Sequence, residues 1–166
     1  MIFDKVFPMR VIGLGLLGLA VLVATSSPAR ADVTAFWGVS PKPTSQSVKG
    51  FAFGLSFLVI GFEVEYANTT ENQTKAEPGL RTGMINGLVQ TPTSKTQFYL
   101  TAGGGFFREY LGEIAETNFG TNLGGGVKIG LVGPLRLRLD YRVLNLRGSP
   151  VTAHPQRFYA GANLSF

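Results

Sequence analysis

The stretch LRLRLDYRV, residues 135–143, sets Leu135, Leu137, Leu139, Tyr141 and Val143 against Arg136, Arg138, Asp140 and Arg142. Apolar and charged residues alternate without a break. A period of two marks a β-strand, because successive side chains point to opposite faces. One face is therefore greasy and the other charged along its whole length. In a soluble sheet the charges would meet water. In a barrel that crosses a membrane they would meet the lumen.

The same rhythm recurs along the chain between turn-forming residues, and no stretch after residue 31 keeps a helical period. Eight strands are expected, at about 33–39, 49–57, 61–67, 80–91, 96–107, 118–131, 135–143 and 157–166. The second is the cleanest, with Phe51, Phe53, Leu55 and Phe57 alternating with Gly50, Ala52, Gly54 and Ser56. The fourth is poorly phased, because Met84 and Ile85 are adjacent. Short connections fall near 58–60, at PTSK (92–95) and at VGP (132–134). Longer polar ones are SPKPTSQS, NTTENQTKAEPG, REYLGEIAET and RGSPVTAHPQ. An even strand count with short turns at one end and long loops at the other is the layout of an outer-membrane barrel.

Residues 1–31 are of another kind. Lys5 and Arg10 are followed by the uncharged run 11–24, and then by SSPARA with Ala29 and Ala31 in A-x-A spacing. This order is that of a signal peptide cut after Ala31, leaving a barrel domain at 32–166. A spanning anchor would need roughly 20 apolar residues, and this run has 14. The remaining chain holds 12 basic and 9 acidic residues, a net +3. Its cations do not cluster among aromatics, which argues against nucleic-acid binding. With no cysteine, the chain has neither a disulfide framework nor a thiolate metal site.

Alternation leaves two barrels open: apolar-in, as in a lipocalin-like carrier, or apolar-out, as in a membrane barrel. The exported leader favours the second. So does a polar face rich in Gly, Ser and Ala, since eight strands enclose only enough room for side chains. Large aromatics near the strand ends suit interfacial girdles. FWG at 36–38 has the wrong order for the lipocalin G-x-W motif.

The leader, the eight-strand rhythm and the ending RFYAGANLSF together resemble the small outer-membrane β-barrel family, the group of the OmpA membrane domain and OmpX. The resemblance spans residues 32–166. It implies an all-β, eight-stranded antiparallel transmembrane barrel in a Gram-negative outer membrane, in contact with outer-membrane lipids. It also implies that Phe158, Leu164 and Phe166 form the terminal signal read by the outer-membrane assembly machinery. No peptidoglycan-binding domain is expected after the barrel. The family hosts adhesins, stabilising proteins and enzymes, so fold alone gives no activity.

Candidate chemistry is sparse. The GGG runs at 103–105 and 124–126 lack the Walker spacing and a following helix, so they read as mid-strand glycines. NTT at 68–70 matches a glycosylation sequon and reads as a polar surface loop. The only histidine, His154, shares a loop with Ser149 but has no acid beside it, short of a nucleophile–base–acid arrangement. One histidine and scattered carboxylates give no metal-ligand spacing, and no cofactor is implied.

The charged faces say more. Glu63 and Glu65 on the third strand should lie opposite Arg136, Arg138, Asp140 and Arg142 on the seventh, at comparable depth, with Lys128 on the sixth joining them. Buried charges must be paired, so the expected result is a structural network that fills the lumen in place of an open pore. The expected protein is an outer-membrane barrel with a structural or surface-interaction role and an unknown loop partner. The alternatives are a lipid-modifying enzyme using the Ser149/His154 loop, and a secreted lipocalin-like ligand carrier.

Overall fold

The computed structural model describes residues 29–41, 45–92 and 94–166. The expected signal peptide lies outside the described residues up to residue 28. Eight strands run in chain order: β1 (Arg30–Ser40), β2 (Gln46–Phe57), β3 (Ile60–Thr69), β4 (Gly79–Gln90), β5 (Thr96–Leu111), β6 (Ile114–Val132), β7 (Leu135–Leu146) and β8 (Gln156–Ser165). Each pairs antiparallel with its neighbour, and β1 pairs with β8 to close the barrel. Closure removes both sheet edges. It also sets β3 and β7 four strands apart, across the lumen from each other.

The pleat sorts side chains as the alternation requires. On β2, Phe51, Phe53, Leu55 and Phe57 are exposed on the outer surface. On β7, Arg136, Arg138, Asp140 and Arg142 are buried in the lumen, while Leu139 and Tyr141 face out. The poor phase of the fourth strand has a physical cause. Leu80, Met84 and Leu88 point inward while Ile85 and Val89 point outward, so both faces of β4 carry apolar residues.

One expected loop is corrected. REYLGEIAET is not a loop: β5 and β6 continue through it and meet at a two-residue turn, Gly112–Glu113. Gly112 takes φ 59°, which suits the first central position of a type II′ hairpin. The sequence misleads here because the hairpin runs past its neighbours: β4 pairs with β5 only up to Tyr110, and β7 with β6 only from Gly120. Both its faces are largely open, and apolar alternation is lost. SPKPTSQS is also shorter as a loop than expected, since Ser40 ends β1 and Gln46 begins β2.

Candidate functional site

The lumen is layered. Nearest the chain ends, Arg136 donates to Gln97 Oε1 at 2.9 Å and to the Ser94 carbonyl at 2.7 Å. Next, Lys128 Nζ sits 2.6 Å from Asp32 Oδ2, and Asn163 donates to Asp32 Oδ1 and to Thr34 Oγ1. Arg138 contacts Thr34 as well, linking this pair to the next layer.

The centre of the lumen is a compact ion cluster. Arg138 pairs with Glu63 and, at 3.0 Å, with Asp140. Arg142 reaches three carboxylates: Glu63 at 2.8 Å, Glu65 at 2.9 Å and Asp140 at 3.0 Å. Arg157 lies 3.6 Å from Glu65 and donates to Thr82 Oγ1. Two tyrosines thread the cluster. Tyr99 donates to Asp140 and accepts from Arg138 Nε at 2.8 Å. Tyr159 donates to Glu65 and accepts from Arg142. Four cations (Lys128, Arg138, Arg142, Arg157) therefore meet four carboxylates (Asp32, Glu63, Glu65, Asp140). The paired layer is formally neutral, as burial of charge demands.

Above the ions the lumen turns apolar. Phe36 stacks on Tyr159 with ring centroids 4.0 Å apart, beside Val48 and Ala67. Leu80, Met84, Phe107, Leu144 and Leu146 form a second cluster. An open hollow of about 420 Å³ lies at the mouth nearest the chain ends, beside Ser94 and Arg136, but farther in the described spaces are small. A cavity beside Asp32 and Lys128 is about 10 Å³, and one at the opposite mouth about 20 Å³. Each holds about one water at most.

The second glycine triplet makes this packing possible. A Cβ on Gly126 would fall 2.2 Å from the Leu139 carbonyl and 2.5 Å from Tyr99 Oη. One on Gly124 would fall 2.7 Å from Arg142 Cγ. The missing side chains are the space that Tyr99 and Arg142 occupy.

Of the residues singled out in the sequence, Glu63, Glu65, Arg138, Asp140 and Arg142 come together in the central cluster. Lys128 pairs instead with Asp32. Arg136 stands apart, because it lies nearest the turns and its partners there are neutral. Sequence reasoning missed Asp32, Arg157, Tyr99 and Tyr159. Phase was the available signal: Arg157 and Tyr159 share the face of Asn163 on β8, and Asp32 shares that of Thr34 on β1. Phe158, Leu164 and Phe166 are exposed on the outer surface or at the chain end. Ser149 and His154 are exposed in the β7–β8 loop, and among the described residues no hydrogen bond joins them.

No family model matches the chain, and no curated protein sequence does. Solved structures share its fold. The N-terminal β-barrel domain of Pseudomonas aeruginosa OprF aligns with TM-score 0.63 at 12% identity, over 82% of this chain and 97% of that one. Neisserial surface protein A (NspA) aligns with TM-score 0.64 at 18% identity, over 85% and 99%. The outer membrane enzyme PagL aligns with TM-score 0.52 at 12% identity, over 80% and 98%. At these identities the likeness is one of fold: this chain has the closed eight-stranded barrel architecture of small outer-membrane proteins.

Proposed function

We propose that the chain is an outer-membrane β-barrel with its apolar face in lipid and its lumen sealed, serving a structural or surface-interaction role through its loops. The observation that carries this is the inversion of polarity. Arg138, Arg142, Arg157, Glu63 and Glu65 are buried inside, while Phe51, Phe62, Leu100 and Leu123 are exposed outside. A monomer in water rarely tolerates so continuous an apolar surface, whereas a bilayer requires one. Dimensions agree. The outward apolar run on β5 from Phe98 to Phe106 covers about 27 Å of strand, or about 21 Å along the membrane normal at a tilt of about 40°. Bands in such barrels are about 25 Å tall.

A carrier would need a largely apolar, enclosed ligand cavity. The inner lumen spaces of about 10 and 20 Å³ are too small, and the hollow of about 420 Å³ at the mouth is open and ringed by Arg30, Ser94, Lys95 and Arg136. An enzyme would need an assembled nucleophile and base, and the Ser149/His154 loop supplies no such contact. We favour the non-catalytic reading because the lumen's carboxylates and arginines are engaged with one another. Cleavage after Ala31 would leave β1 starting at Asp32, with its Lys128 pairing intact. Phe158, Leu164 and Phe166 would be read by the assembly machinery during insertion.

Membrane fractionation with gel mobility tests the reading. The protein should sediment with outer membranes and migrate faster unheated than boiled. Planar bilayers containing it should stay at background conductance. A soluble fraction without a mobility shift would refute the barrel-in-membrane reading. Steady open channels would refute the sealed lumen.

A further inference from the structure

Resting on the membrane reading above, we infer that the outer wall of β2–β5 carries a binding site for the phosphate groups of a lipid headgroup, in the leaflet away from the chain ends. The strand register builds one continuous outward row: Trp37, Lys49, Asn68, Arg81, Arg108 and Thr117, each paired with the next on the neighbouring strand. Lys49, Arg81 and Arg108 are exposed. Arg81 and Arg108 stand directly opposite each other. Like charges so placed repel and destabilise a sheet unless an anion sits between them. Among the described residues none of the three cations has a carboxylate partner, although every cation of the central lumen cluster has one.

The site is built, not merely charged. Arg81 lies over the Tyr110 ring, 4.8 Å from its centroid. Tyr110 is itself fixed, donating to Asn68 Oδ1 at 3.0 Å and to the Thr69 carbonyl at 3.2 Å. Its ring occupies the place a side chain on Gly79 would need. With Asn68 Oδ1 engaged, the amide NH₂ of Asn68 is the group left to donate, between Lys49 and Arg81 in the row. Arginine's planar fork suits phosphate oxygens.

Depth selects a lipid as the source. The next outward row toward the chain ends is Phe51, Tyr66, Gly83, Phe106 and Phe119, again paired in register. Phe51 and Tyr66 are 5.5 Å apart, and Phe106 and Phe119 meet edge-on at 6.0 Å. Aromatic girdles mark the membrane interface. Cations immediately beyond one lie at headgroup level, where anionic lipid attracts them.

The test uses the folded barrel in zwitterionic detergent, with native mass spectrometry against bisphosphorylated lipid A, its dephosphorylated form and inorganic phosphate. The phosphorylated lipid should bind preferentially. Arg81→Gln with Arg108→Gln should weaken it about thirtyfold, from about 1 kcal/mol per basic residue near an anionic surface. Arg81→Lys with Arg108→Lys should bind between the parent and the glutamine variant, because the charges stay while the planar fork is lost, and Arg147→Gln in the β7–β8 loop should leave binding unchanged. Equal binding of the dephosphorylated lipid, or unaltered binding by the glutamine variant, would overturn the site. Displacement by inorganic phosphate at equal concentration would overturn the lipid as its occupant. Both variants should keep heat-modifiable mobility, so a barrel that inserts but does not discriminate would sink this inference alone. A chain that fails to insert would sink the membrane reading.

Discussion

Glu63→Gln combined with Glu65→Gln should give the largest loss of stability of any conservative change in the lumen. Glu63 is shared by Arg138 and Arg142, and Glu65 by Arg142 and Arg157. After the double change Asp140 is the one carboxylate left to the central arginines, and Arg157 keeps only the Thr82 hydroxyl. Breaking a buried pair by removing one partner costs about 3–5 kcal/mol, because the other charge stays behind without water. The second substitution should add less than its own full cost, since both carboxylates act on Arg142. Denaturant unfolding from lipid vesicles, followed by gel mobility, measures this. An unchanged midpoint would mean the pairs contribute nothing.

Arg142→Met should cost nearly as much from the other side. Arg142 is the hub of the cluster, with three carboxylates and the Tyr159 hydroxyl within reach. Methionine keeps much of the stem's volume, so the loss reports on charge more than on packing. Glu63 and Asp140 retain Arg138, but Glu65 is left with the 3.6 Å contact to Arg157 as its one cation, beside the Tyr159 hydroxyl. The expected loss is about 3–5 kcal/mol. Adding Glu65→Gln to Arg142→Met should cost less than Glu65→Gln does in the parent, and that coupling identifies the pair. Strict additivity would show that the two residues do not interact.

Much of this architecture is legible before any coordinates. The alternation in residues 135–143 fixes which side chains share a face, because the pleat allows no other sorting. Strand number follows from the turn chemistry, and the opposition of β3 and β7 follows from eight strands closing on themselves. What does not follow is register across the lumen. Shear and tilt decide which side chains meet at one depth, and nothing local encodes them. Lys128 thus reaches Asp32 on β1 and leaves Glu63 to the arginines. Arg157 was hidden for a similar reason: it sits at the start of β8, and its partner Glu65 comes from β3. The long β5–β6 hairpin was hidden because periodicity reports burial. A hairpin open on both faces has no apolar side to repeat.

The inversion itself, apolar outside and charged within, is tested most directly by the chain's single tryptophan. Trp37 points outward from β1, 71% exposed, with Nε1 donating to Ser47 Oγ at 2.7 Å. Its fluorescence in vesicles of brominated phosphatidylcholine should be strongly quenched, most by bromines placed near the headgroup, as for an interfacial aromatic. Emission indifferent to bromine at every depth would mean that this face meets water, and the account of a membrane barrel would be wrong.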